Sequence, residues 1–248
     1  MPLRQANRKV FARVFDLGYH QSQGDKAGLK DNVHCMYKDR AGTLWVGNRT
    51  GLHKIILTAA KAGRPSRVTI QHYKHDSTYI NTLSSNIVTS IIVTSIMEDR
   101  TGIMWVATEK GLNSFDRKTG TFKRYMHDPG NIHSISSNNM QLWFGGELKE
   151  DKEGNLWIGT DKGLNKLNSD RTIFTHYFHN PDDAFSPSSN IIISLQIDQA
   201  GILWAGSWRG KLNKVNLNNK GFGLRQYDPN NINSLSNNQV TSILEDCN

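Results

Sequence analysis

Cysteine is almost missing from this chain. Cys35 and Cys247 are the only two in 248 residues and have no CxxC spacing, so there is no disulfide framework and little support for a metal or redox centre. Proline is sparse, 6 against 21 glycines, and no collagen-like period or low-complexity tract is present. Apolar runs stop after a handful of residues, which excludes a membrane-spanning helix from the sequence reading. Met1–Tyr19 scatters Arg4, Arg8, Lys9 and Arg13 among apolar residues and has no continuous apolar stretch, so it does not read as a signal peptide. The formal charge of +8 comes from cations spread along the chain, without blocks of one sign. A solvated surface is expected from that spread; nucleic acid is not an expected partner, and a small acidic ligand stays open.

What the chain does have is repetition. Asp39-Arg-Ala-Gly42-Thr-Leu-Trp45-Val-Gly-Asn48 returns as Asp99-Arg-Thr-Gly102-Ile-Met-Trp105-Val-Ala-Thr108. It returns again as Asp151-Lys-Glu-Gly154-Asn-Leu-Trp157-Ile-Gly-Thr160 and as Asp198-Gln-Ala-Gly201-Ile-Leu-Trp204-Ala-Gly-Ser207. The tryptophans are 60, 52 and 47 residues apart, and a fifth copy starts at Glu245-Asp246. Each copy runs on into a glycine-led segment (Gly51-Leu52-His53, Gly111-Leu112-Asn113, Gly163-Leu164-Asn165, Gly210-Lys211-Leu212-Asn213). A short aromatic stretch comes next: Ile70–Tyr73, Phe122–Tyr125, Phe174–Tyr177 and Leu224–Tyr227. A polar stretch closes each unit: His75–Asn86, His127–Asn138, His179–Asn190 and Tyr227–Asn238.

Every unit therefore holds four short strand signals and no helical period. Strand A is the Val/Ile-rich run, B contains the tryptophan, C starts at the glycine and D is aromatic. Four antiparallel strands per roughly 50 residues make one blade of a β-propeller. The fold expected is all-β, with blades over 28–74, 75–126, 127–178 and 179–227 and partial blades over 1–27 and 228–248.

The recurring residues have physical reasons to recur. Asp-x-x-Gly suits a tight A–B turn, with aspartate accepting a local backbone bond and Gly42, Gly102, Gly154 and Gly201 free to take φ > 0. Trp45, Trp105, Trp157 and Trp204 can each bury about 200 Å² between neighbouring blades. The glycine two residues after the tryptophan, as at Gly159, would let the next blade approach closely. All of these read as scaffold.

The composite of Ser-Ser-Asn, Asp-x-x-Gly-x-Leu-Trp-x-Gly-Thr, Gly-Leu-Asn and Asp-Pro…Ser-Leu-Ser resembles the two-component regulator propeller repeat, over residues 28–246. The resemblance implies a seven-bladed propeller outside the cytoplasmic membrane, on the periplasmic or extracellular side. It also implies a ligand signal, often from a glycan, passed to a histidine kinase in a dimeric parent sensor. On that reading the chain is a non-enzymatic, cofactor-free segment of a larger sensor, its partners being an oligosaccharide, further blades and the kinase. Met1 is then an internal or misassigned start. Two departures stand out: Asn48 replaces the usual threonine, and an extra residue follows Gly210.

Strand A carries two irregularities. Ile87–Ile91 is repeated at once as Ile92–Ile96, and the next unit has an equally long extra piece around Leu142–Gly146. A five-residue insertion inverts a strand's faces, so it must be absorbed in a bulge or in the D–A loop.

Specificity is expected in the B–C turns, which vary on a constant scaffold: Arg49-Thr50, Glu109-Lys110, Asp161-Lys162 and Trp208-Arg209. The candidate ligand-binding residues are Trp208 and Arg209, then Lys110, Asp161 and Lys162. An indole can stack on a sugar ring and an arginine can bind hydroxyls or a carboxylate; the alternative for Trp208 is an incidental surface aromatic. Trp143 is a weaker candidate. His75, His127 and His179 lie a blade apart and cannot share one ion, so no metal site is expected. No catalytic residue is assigned. The rival readings are a lyase-like propeller, for which no His/Glu and metal group assembles, and a WD-type interaction propeller, for which the Gly-His and Trp-Asp pairings are missing.

Overall fold

The computed structural model describes residues 33–59, 65–85, 96–140, 147–209, 211–217, 222–225, 227–237, 240 and 243. The described residues contain sixteen strands and no helix. Four sheets of four antiparallel strands follow one another along the chain, each in simple meander order. The first holds β1 (Val33–Lys38), β2 (Leu44–Asn48), β3 (Gly51–Ala59) and β4 (Pro65–Tyr73). The second holds β5 (Ile96–Glu98), β6 (Met104–Thr108), β7 (Gly111–Asp116) and β8 (Thr121–Tyr125). The third holds β9 (Leu148–Glu150), β10 (Leu156–Thr160), β11 (Gly163–Leu167) and β12 (Phe174–Tyr177). The fourth holds β13 (Ile192–Ile197), β14 (Ile202–Ser207), β15 (Leu212–Asn216) and β16 (Phe222–Arg225). These are propeller blades.

Strand B is the most enclosed. Every residue of β2, β6 and β10 is buried, because a sheet between two neighbours has no solvent face in its middle strands. Trp45 packs with Leu83, Ile96, Met104, Val106, Phe115 and Phe122, all from the second blade or the loop leading into it. Trp105 makes the same kind of cluster with Ile135, Leu148, Leu156, Ile158 and Phe174, and Trp157 with Ile192, Leu195, Leu203 and Val215. The strand D tyrosine covers the indole of its own blade: Trp45–Tyr73, Trp105–Tyr125 and Trp157–Tyr177 lie 6.1, 5.3 and 5.5 Å apart. Trp204 is only partly buried.

Each A–B turn is locked by one aspartate. Oδ1 of Asp39, Asp99, Asp151 and Asp198 accepts from the backbone N–H four residues on, at 2.8–3.0 Å. Oδ2 accepts from the indole Nε1 of Trp45, Trp105, Trp157 and Trp204 at 2.8–2.9 Å. The turn glycines take φ between +75° and +87°. For Asp99, burial opposes ionisation, but hydrogen bonds from Thr101, Trp105, Ile103 and Arg171 outweigh it and hold the carboxyl below its ordinary range.

Arginines tie one blade to the next on this side. Arg117 in the second C–D turn reaches Asp39 (3.0 Å) and Glu98 (3.1 Å), and Arg171 in the third reaches Asp99 (2.9 Å) and Glu150 (3.6 Å). In the fourth blade Ile197 stands where Glu98 and Glu150 stand, one residue before the turn aspartate. A different carboxylate links the third and fourth blades: buried Glu147 accepts from the backbone N–H of Leu195 in β13. Gly159 is a close approach at that seam, since a Cβ there would lie 2.8 Å from Ile192 O.

One feature differs from the sequence reading, and another adds to it. The first C–D hairpin is longer than the Ile70–Tyr73 segment suggests, pairing from Leu52↔Tyr73 out to Ala59↔Pro65. The strand A register shifts lie in β1 and β13, at Val33/Cys35 and Ile192/Ser194. The duplicated stretch 87–95 and the insert 141–146, with Trp143, lie outside the described residues, as do the partial blade 1–27 and most of 238–248.

Two measurements test this account. Trp105→Ala should destabilise the fold by about 3–5 kcal/mol in chemical denaturation, and Trp204→Ala by less, because only Trp105 is fully enclosed. Burial raises the pKa of Glu147, against the smaller lowering effects of the Leu195 N–H and Lys149. A carboxyl whose pKa is raised on folding stabilises the fold below its unfolded pKa, and that contribution is lost as pH rises through the folded one. Glu147→Gln should therefore melt above the wild type at neutral pH, with the gap closing on acidification.

Candidate functional site

The meander sends the B–C turns and D–A loops to one face and the A–B and C–D turns to the other. Contacts across the loop-rich face show the pairing. Ser85 Oγ donates to Glu109 Oε1 (2.8 Å), Asn139 Nδ2 to Asp161 Oδ2 (3.0 Å), and the Trp208 N–H to Ile191 O (2.9 Å).

The D–A loops are built to a common plan. The backbone N–H groups of Asp76, Asp128, Asn180 and Asp228 each donate to a hydroxyl six residues on, at 2.9–3.0 Å. That hydroxyl donates back to the carbonyl of the same residue at 2.8–3.1 Å. The loop histidines are used within their own loops: Nδ1 of His75, His127 and His179 meets the carbonyl eight residues on at 2.7–2.8 Å. No group of three or more potential metal ligands gathers among the described residues.

The asparagine of Gly-Leu-Asn fastens each loop to its blade. Oδ1 of Asn113, Asn165 and Asn213 accepts from the backbone N–H of Ser84, Ser136 and Ser188 at 2.8–2.9 Å. That serine is the first of the Ser-Ser-Asn run, whose role the sequence pattern alone did not reveal. The first blade has His53 at this position, stacked 4.1 Å from His72, with Nε2 3.1 Å from Asn48 Oδ1. Asn48, the departure noted in that blade, is therefore the partner of His53. Burial lowers the pKa of His72, with Lys74 adding to the effect and the Thr50 carbonyl opposing it.

The B–C turns present the candidate side chains. Lys110 and Lys162 are exposed, their backbone N–H groups held by Thr108 and Thr160 hydroxyls at 3.2 and 3.1 Å. Arg209 is exposed and takes φ +49°, a left-handed backbone that costs a non-glycine residue about 1 kcal/mol or more. Trp208 beside it is partly buried. Lys110 stands on the second blade, Asp161 and Lys162 on the third, Trp208 and Arg209 on the fourth. All five share the loop-rich face, and the two pairs each share a turn.

One residue of this face was missed in the sequence. Phe178, just after strand D, is 49% exposed, and its Cδ1 would lie 2.9 Å from a Cβ placed on Gly163. Met126 holds the matching place over Gly111 in the second blade. The signal was available as an apolar residue following the strand D tyrosine, at the foot of the polar stretch.

Comparison with known proteins agrees with this architecture. The model of the family described as two component regulator propeller matches residues 28–50, 82–110 and 147–162. Each matched stretch covers strands A and B of one of the first three blades. Its fourth unit lies outside the matched stretches, yet makes the same Asp198–Trp204 bond. A search of curated proteins returned no match.

Among solved structures, the chain is similar to the extracellular domain of a B. thetaiotaomicron protein assigned as a hybrid two component system. That likeness has 22% identity and TM-score 0.59, over 82% of this chain and 26% of that one. A second extracellular domain from B. thetaiotaomicron, assigned as a one component system, matches at 23% identity and TM-score 0.61, over 91% of this chain and 26% of that one. PorZ, a surface component of the type-IX secretion system of Porphyromonas gingivalis, matches at 17% identity and TM-score 0.53, over 87% of this chain and 30% of that one. The chain thus spans under a third of the length of each, and at these identities the likeness is one of fold.

Relieving the strained turn gives a test of what holds it. Arg209→Gly should raise stability by about 1 kcal/mol in thermal or chemical denaturation, since glycine takes φ > 0 without penalty. An unchanged or lowered stability would mean that the Arg209 side chain holds the turn in place.

Proposed function

We propose that this chain is a ligand-sensing segment of an extracytoplasmic two-component sensor. It recognises a glycan-derived ligand on its loop-rich face and signals to a histidine kinase in the parent protein. The observation that carries this reading is the contrast between a uniform scaffold and a variable rim. Asp–Trp locks and loop hydroxyl bridges repeat from blade to blade, while the B–C turns run from Arg-Thr through an acid–Lys pair on the second and third blades to Trp-Arg on the fourth. The repeat family and the extracellular sensor domains of similar fold support the sensor setting.

In mechanism the segment binds and transmits; it catalyses nothing. Trp208 offers an indole edge and Arg209 a guanidinium for ligand hydroxyls or a carboxylate, with Lys110, Asp161 and Lys162 as further contacts. Ligand that bridges neighbouring blades would favour one blade packing over another and so bias the attached kinase, by as much as its affinity differs between the two arrangements. Calorimetric titration of the complete sensor's propeller with an oligosaccharide panel tests this. Trp208→Ala should weaken binding at least tenfold, and wild-type affinity in that variant would remove Trp208 from the site.

A further inference from the structure

We infer that the loop end of the third blade is a subsite for a ring bearing neighbouring hydroxyls and one apolar face, with Phe178 as its platform and Asp161 as its acceptor. The inference rests on the sensing reading above and adds to it the part of the ligand that this blade takes.

Two independent observations meet on one turn. The first is an unused acceptor. Asp161 Oδ2 is held by Asn139 Nδ2 at 3.0 Å, and the Asp161 N–H faces the Asn139 carbonyl, so the carboxylate is fixed in orientation. Its other oxygen, Oδ1, is buried and has no hydrogen-bond partner. A buried carboxylate oxygen left unmatched costs free energy, and the group that would match it is a donor. The second observation is an exposed aromatic. Phe178 rests on Gly163, two residues beyond Asp161, and keeps 49% of its surface exposed. Its neighbour His176 is 5.6 Å away, ring to ring, and the His176 Nε2 is bonded to Ser134 O at 2.7 Å, which steadies that side of the platform.

The chemistry selects the ligand. A ring laid on a phenyl face contributes C–H surface, and a hydroxyl at its edge donates to a carboxylate. Lys162, exposed between Asp161 and Gly163, can donate to the neighbouring hydroxyl oxygen. An ammonium ligand would meet the Lys162 charge on the same turn, and an anionic one the charge of Asp161. A neutral polyhydroxylated ring satisfies all three side chains.

The experiment titrates the full 248-residue chain with neutral, N-acetylated and uronic oligosaccharides, using Asp161→Asn, Phe178→Ala, Phe178→Trp and Trp208→Ala. The expected result is neutral-sugar binding that weakens at least tenfold in D161N and F178A and survives in F178W, with melting temperatures near wild type for all. Wild-type affinity in D161N and F178A, alongside loss in Trp208→Ala, would overturn the subsite and leave the sensing reading in place. Preference for the uronic ligands would overturn the neutral-ring assignment. Absence of binding by any panel member would overturn both readings.

Discussion

The fold hangs on a hydrogen bond between a turn carboxylate and a buried indole. One oxygen of each aspartate closes the A–B turn and the other takes the only polar atom of the tryptophan wedged against the next blade. A buried indole N–H without a partner is costly, and a turn aspartate without its backbone donors would lose its orientation. Since one side chain does both, a blade cannot keep its turn and lose its neighbour, or the reverse. This is why Asp and Trp recur six residues apart in all four full copies, while of the residues between them only the turn glycine is invariant.

Most of that was readable in advance, with one gap. Strand order, turn glycines and the enclosure of the tryptophans follow from spacing and period alone, because every unit repeats the same constraint. The second job of the aspartate does not. A pattern shows that Asp and Trp occur together but not that they touch, and Asp-x-x-Gly is already explained by the turn. The same limit hid the Asn–Ser fastening of the D–A loops, since asparagine after Gly-Leu and serine in a polar run each look ordinary separately. Asn48 stands out in the sequence as a departure and His53 does not; only their 3.1 Å contact joins them.

The candidate site was less legible, for a physical reason. Scaffold residues announce themselves by recurring; binding residues are the ones that do not, so only their position on the blade identifies them. That argument picks out the B–C turns and their Lys110, Asp161, Lys162, Trp208 and Arg209. It passes over Phe178, which belongs to the end of strand D and comes beside the third turn only through the chain's return past Gly163. The partial burial of Trp208 and the left-handed backbone of Arg209 are likewise not given by spacing.

The D–A loops reach further than their own blade. The Asn81 carbonyl takes the N–H of Phe122, and the His133 carbonyl that of Phe174, so each loop shields a donor on the outermost strand of the following sheet. Loop and rim are thereby committed to each other across a blade boundary. Lengthening such a loop to reshape the upper surface would uncover a strand margin one blade away, open to pairing with another molecule. Diversity in this architecture is therefore cheapest in the short B–C turns.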